Sequence, residues 1–226
     1  STMSGAMALA ASEQKLGRYA LIGEPTGLKP INSHKGVMME CIRVIGKAGH
    51  SSNPMFGNNA LDGMVNIINE LAKLRQQLQE KYHNSAFTVP HPTMNFASVH
   101  GGDNPNRICA ECELKLDVRM MPGMEVQEIR KLIRQTANNA IANTGLELEC
   151  VELFEGLPAM HTDDQSTIVS LAESLSNREA GSVAFATEGP YLNALGMETI
   201  IMGPGDIDVA HQANEYVPLN RIEPMS

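Results

Sequence analysis

Two residues of this chain stand where a cation could be held. His211 lies in Gly203-Pro-Gly-Asp206-Ile-Asp208-Val-Ala-His211-Gln-Ala-Asn-Glu215, directly after the apolar run Met197-Glu-Thr-Ile-Ile-Met202. Glu24 lies in Gly23-Glu24-Pro25-Thr26-Gly27, directly after Tyr19-Ala-Leu-Ile22. Short apolar runs rich in β-branched residues and flanked by glycine read as buried strands of a parallel sheet. The loops beyond the carboxyl ends of such strands are where open α/β sheets place ligands. An imidazole and a carboxylate so placed are a donor set for a divalent metal. The proline after Glu24 holds that residue extended and sets its direction. Taken singly, each also reads as an ordinary surface histidine or turn glutamate.

The elements that must position these residues fall into three stretches. Residues 1–16 have helical composition with Gly17 as the stop, and Tyr19–Ile22 is a short strand. From Gly36 the pattern changes. Val37 to Ile45 reads as a strand and Gly46 to Pro54 as a loop. Asn59 then caps a helix whose apolar residues Leu61, Met64, Val65, Ile68, Leu71 and Leu78 recur at helical spacing as far as Tyr82. Thr93 to Val99 is a strand, and His100 to Asn106 a turn-rich loop. Residues 107–119 carry a period of two, Ile108, Ala110, Cys112, Leu114, Leu116 and Val118 against Arg107, Glu111, Glu113, Lys115, Asp117 and Arg119, which predicts a strand with one wet face. Val126 to Ile141 is a second amphipathic helix and Leu146 to Phe154 a last strand.

This β-α-β-β-α-β order predicts a ferredoxin-like sandwich, four antiparallel strands with two helices on one face. Past Glu155 the pattern of the first residues returns, with a helix at 164–176, a strand at 182–187 and the strand before His211. The fold class is therefore α/β: one α/β domain, residues 1–35 and 155–226, interrupted by an inserted α+β lid, residues 36–154.

Composition removes several functions. The net charge is −9, and residues 155–226 hold two basic against eleven acidic residues. With no basic patch to hold a phosphate backbone, nucleic acid is excluded as a partner. No apolar run approaches the roughly 20 residues of a membrane span. The acidic third suits a cation site or a solvated face. Four cysteines in 226 residues are no disulfide framework. Cys109 and Cys112, three apart on a strand, would face opposite sides and stay unbridged, as suits a reducing cytosol.

Six loops in order carry a resemblance. They are Ile22-Gly-Glu-Pro-Thr26, Ala48-Gly-His-Ser-Ser-Asn-Pro54, His100-Gly-Gly-Asp with Asn106-Arg-Ile-Cys109, Asp117-Val-Arg-Met-Met-Pro-Gly123, Thr187-Glu-Gly-Pro190 and Ala210-His-Gln212. The set resembles the co-catalytic zinc amidohydrolases of the aminoacylase and carboxypeptidase type. The resemblance implies hydrolysis of N2-acetyl-L-ornithine to ornithine and acetate, in the cytoplasm, by a homodimer joined through its lids. It also implies two zinc ions per subunit, with cobalt able to substitute. By motif, Glu24 and His211 would be metal ligands. His50, from a neighbouring subunit's lid, would donate to the oxyanion. Asn106 and Arg119 would hold the substrate's amide or carboxylate end, and Glu188 its amine. A relative that removes a succinyl group from succinyl-diaminopimelate, or a non-catalytic dimerisation module, would show much of the same pattern.

The sequence departs from that family in two motifs. The family's His-x-Asp and Asp-Glu-Glu motifs, which supply further ligands, the bridging aspartate and the general base, are both missing. His161-Thr-Asp163 has the letters of the first but follows the lid. The chain thus reads as a piece of a longer enzyme, expected to be inactive alone.

Overall fold

The computed structural model describes residues 3–12 and 16–225. In chain order the elements are α1 (Ser4–Ala11), β1 (Tyr19–Ile22), β2 (Ile31–His34), β3 (Gly36–Ile45), α2 (Ala60–Lys81), β4 (Thr93–Gly101), β5 (Glu111–Met120), α3 (Val126–Ala140), β6 (Glu147–Leu157), β7 (Met160–His161), α4 (Thr167–Ser176), β8 (Gly181–Val183), α5 (Gly189–Ala194) and β9 (Glu198–Ile201). They divide between two compact units. A central unit spans Val37–Ser85 and Val89–Leu157; a flanking unit comprises Ser1–Gly36, Ala86–Thr88 and Pro158–Ser226.

The central unit is a four-stranded sheet in the order β4-β5-β3-β6, with β4 antiparallel to β5 and β3 antiparallel to β6. Strict alternation on β5 buries Cys112, Leu114, Leu116, Val118 and Met120. With Met38, Ile42 and Val44 of β3 they form a core with the buried side chains of α2 and α3, among them Met64, Ile67, Leu71 and Ile133. Helix α2 starts where its sequence says it should. Asn59 stays extended and its Oδ1 accepts the Leu61 N–H at 3.1 Å. Asn59→Ala removes that acceptor and is expected to lower stability by about 1 kcal/mol, seen as a lower urea midpoint at unchanged m-value.

In the flanking unit a five-stranded sheet runs β1-β9-β2-β7, with β8 also paired to β2. Strands β1 and β9 are parallel, Tyr19 opposite Glu198 and Ile22 opposite Ile201. Among the described residues no helix is long and apolar enough to cross a membrane.

The structure corrects several sequence expectations. The strand expected from residue 107 begins at Glu111. Residues 107–110 are held instead by other partners: Ile108 N–H donates to Gly49 O, Ala60 N–H to Cys109 O and Gly46 N–H to Ala110 O. Cys109 therefore lies outside the strand that holds Cys112. The helix expected over 1–16 covers Ser4–Ala11, where Ser12 Oγ caps Leu9 O, and residues 13–15 lie outside the described residues. The strand expected over 182–187 ends at Val183, and the helix expected from 164 begins at Thr167. Strands β2 and β7 and helix α5 were not anticipated.

Candidate functional site

Because β1 and β9 are parallel neighbours, the loops beyond them leave the same end of the sheet. Those loops are laced together. Met202 N–H donates to Ile22 O at 2.9 Å, Gly27 N–H to Gly205 O at 2.7 Å, and Leu28 N–H to Gly203 O at 2.8 Å. Gly203 N–H donates to Thr26 Oγ1 at 3.1 Å. Thr26 and Asp206 form a β-bridge, and Arg221 pairs with Asp206 at 2.6 Å. At Gly203 any Cβ would collide with the carbonyl oxygen of Glu24, so only glycine permits the approach.

Glu24 is half-buried on one of these loops, and His211 is exposed on the other. His211 adopts φ 62°, a left-handed conformation uncommon outside glycine, and its N–H donates to Glu215 Oε2 at 3.0 Å. Glu188, at the start of α5, lies close enough to act on Glu24. Burial raises the Glu24 carboxyl above its ordinary range, the Glu188 carboxylate raises it further, and His211 opposes the rise.

One imidazole and two carboxylates are ligand types that zinc accepts. Among the described residues, however, no three His, Cys, Asp or Glu side chains converge as a metal-holding group. Glu24 and His211 thus fit zinc in chemistry and supply part of a donor set.

The central unit holds the other candidates. His50 pairs across a β-bridge with Arg107, and Ser51 N–H donates to Asn106 O at 3.0 Å, so His50 and Asn106 sit on joined loops. The ring of His50 is oriented by its own turn. Ser52 N–H donates to Nδ1 at 3.2 Å, with Ser52 Oγ 2.8 Å from the same atom. A nitrogen that accepts a main-chain N–H carries no proton, so the neutral ring keeps its proton on Nε2. The exposed imidazole therefore offers an N–H donor.

Arg119 is not brought to this loop pair. It lies near the far end of β5, eight residues beyond Glu111, or roughly 26 Å along a strand. Its guanidinium grips Asp117 in a fork, Nε to Oδ1 at 2.8 Å and Nη2 to Oδ2 at 3.0 Å.

A residue that sequence reasoning passed over is His34, fully buried on β2. Its Nδ1–H donates to Lys35 O at 2.9 Å, and its Nε2 accepts the N–H of Thr187, the residue before Glu188, at 3.3 Å. Burial pushes its pKa down to about 4. The available signal was a polar strand, Asn32-Ser33-His34, set between apolar elements.

A βαββαβ unit whose sheet is ordered β4-β5-β3-β6 is inserted into an α/β unit that carries Glu24 and His211 on laced loops. Residues 32–145 match the peptidase dimerisation domain, and the chain belongs to that family. Its curated relatives include the acetylornithine deacetylases of Edwardsiella ictaluri, 42% identical over 99% of this chain and 58% of that protein, and of Aliivibrio fischeri, 40% identical over 99% and 59%. The chain thus spans somewhat under two thirds of the length of the curated relatives it matches. Among solved structures, a tripeptidase from Staphylococcus aureus superposes with a TM-score of 0.70 at 18% identity, covering 99% of this chain and 59% of that one. A metallo-carboxypeptidase from Sulfolobus solfataricus gives 0.65 at 18%, covering 96% and 63%. At such identities these structures speak for the fold alone.

Proposed function

We propose that this chain is part of a zinc-dependent amidohydrolase that converts N2-acetyl-L-ornithine to L-ornithine and acetate, working in the cytoplasm as a homodimer joined through the central unit. The observation that carries the reading is the lacing of the β1 and β9 loops, which sets Glu24 and His211 at one end of a parallel strand pair. Identity above 40% to an acetylornithine deacetylase over nearly the whole chain supports the substrate. The four free cysteines suit a reducing compartment.

In this reading Glu24 and His211 hold metal. The metal, when bound, supplies Lewis-acid polarisation of the amide carbonyl and lowers the pKa of water to about 7. The chain's own residues do the rest. As the carbonyl carbon becomes tetrahedral its oxygen gains negative charge, and the Nε2–H of His50, contributed by the neighbouring subunit, donates to it. Asn106, on the loop joined to His50, steadies the same end of the substrate. Arg119, too far from Asn106 of its own subunit to share a substrate with it, comes from the opposite subunit and takes the α-carboxylate by exchanging it for Asp117. Glu188 receives the δ-ammonium group and so favours ornithine over neutral side chains.

In the enzyme that carries this chain together with the further segments of its relatives, His50→Ala is expected to lower kcat by about 10²–10³ while KM changes little. Mixing His50→Ala subunits with Glu24→Ala subunits then restores up to about a quarter of the activity, because a random half of the dimers regain one intact site. Failure of the mixture to recover any activity would show that His50 serves its own subunit. Acetyl-, succinyl- and formyl-ornithine compared side by side test the acyl group.

A further inference from the structure

Central strands are ordinarily apolar, yet β2 runs buried and polar into the residue that follows it. Asn32 is 5% exposed, Ser33 4%, His34 0% and Lys35 3%. Each of the first three reaches out of the strand. Asn32 Nδ2 donates to Thr162 O at 3.0 Å and to Asp164 Oδ1 at 2.6 Å. Ser33 Oγ lies 2.7 Å from His161 Nδ1. His34 reaches Thr187. Strand β2 therefore fixes loops as well as filling the sheet, and only the His34 contact leads to a candidate site residue.

Thr187 is fully buried and held at two points. Its N–H is given to His34 Nε2, and its Oγ1 accepts the N–H of Gly189 at 3.1 Å. Glu188 lies between these anchors, and its own carbonyl accepts the Tyr191 N–H at 3.0 Å. Gly189 is packed so closely that a Cβ there would collide with Met160 Sδ. The backbone of Glu188 is thus defined on both sides, which limits where its carboxylate can reach.

We propose that His34 is a positioning residue: through the Thr187 amide it sets the direction of the Glu188 carboxylate, and with it the placement of the substrate's amine. The second clause rests on the proposed role of Glu188 as the amine-binding group; the first stands without it. The imidazole is suited to the task because it is buried as a neutral ring with a fixed tautomer. One nitrogen anchors it to the main chain just after its strand through Lys35 O, and the other is left as an acceptor for a single main-chain donor. An apolar side chain there would orphan the Thr187 N–H inside the unit.

Two variants separate the ring's two hydrogen bonds. In His34→Gln the side-chain oxygen takes the place of Nε2 and keeps the acceptor. In His34→Asn the amide nitrogen takes the place of Nδ1 and keeps the donor to Lys35 O, while the acceptor is lost. Amide hydrogen exchange in the 226-residue chain is the first readout. Thr187 is expected to exchange about tenfold or more faster in the asparagine variant and near the natural rate in the glutamine variant, with Ile200 and Ile201 unchanged in both. Equal Thr187 exchange in all three proteins would overturn the positioning role.

The second readout uses the enzyme carrying this chain with its relatives' further segments. The asparagine variant is expected to raise KM about tenfold for N2-acetyl-L-ornithine and to leave KM unchanged for N2-acetyl-L-norvaline, which has the same chain without the amine. The glutamine variant restores the ornithine value. A loosened Thr187 with an unchanged KM ratio keeps the positioning contact and overturns the amine-binding role of Glu188.

Discussion

Replacing Glu40 with alanine destabilises the central unit by about 3–5 kcal/mol, a large share of the roughly 5–15 kcal/mol that holds a domain of this size folded. Glu40 is fully buried on β3. Its Oε2 accepts Arg130 Nε at 2.9 Å, and its Oε1 accepts from Arg134 at 2.6 Å. Arg130 is itself only 2% exposed and donates further to Phe154 O and Glu155 O at 2.9 and 3.0 Å. Removing the carboxylate leaves a guanidinium buried beside one remaining carboxylate, Glu152 at 3.3 Å, which is 40% exposed. The penalty is the desolvation of an unmatched charge, which exceeds what the intact pair contributes. The double replacement Glu40→Leu with Arg130→Met should accordingly fall within about 2 kcal/mol of the natural chain, since it removes both charges and keeps the volume. Urea unfolding of the three proteins, followed by amide signals of β3 and α3, measures both figures. A single variant no less stable than the double one would show that the pair is screened by water.

Acidification from pH 7 to pH 4 removes about 3 kcal/mol from the flanking unit through His34 alone. The folded pKa of His34 is depressed to about 4 from an ordinary 6.5 by burial. As pH falls below 6.5 the unfolded chain binds a proton that the folded chain refuses. The contribution is therefore fully present above pH 6.5 and is lost progressively down to about pH 4. The other titratable groups around it are Lys35, the residue after β2, Glu198 on β9, His161 on β7 and Glu188 beside Thr187, while β8 carries none. Their effects cancel in the comparison with His34→Gln, whose stability should fall about 3 kcal/mol less over the same range. Parallel pH profiles for the two proteins would refute the buried neutral ring.

Much of the central unit was legible because its signals are local. The period of two along β5 and the helical spacing of α2, with Asn59 as its cap, survive into the structure because neighbours on one element decide them. What was missed depended on distant partners. Strand β2 carries no strand signal because Asn and Ser are turn formers, and partners from the far end of the chain, Thr162, Asp164, His161 and Thr187, help satisfy those side chains once they are buried. Residues 107–110 alternate like a strand, but their backbone is claimed by Gly46, Gly49 and Ala60.

The candidate site divides in the same way. Glu24 and His211 were singled out by position, each past a short apolar strand, and their ligand roles come from the family resemblance. The pairing of the His50 and Asn106 loops required a β-bridge that no spacing announces. The Arg119–Asp117 fork was within reach, since residues two apart on a strand share a face.

The pairing of β1 with β9 also sets an order of events on the ribosome. Strand β1 is made first, yet its partner begins only at Glu198, whereas the central unit is complete at Leu157. At usual translation rates the interval between those two points is roughly 2–8 s. The central unit can finish folding within it, and by folding it draws residues 36 and 158 together and shortens the loop that β1 and β9 must close. Throughout that interval Tyr19 and Leu21 lack the β9 backbone that pairs with them. Sheet formation in the flanking unit is thus a late, long-range closure, and newly made chains are most exposed to strand-edge aggregation while they wait for it.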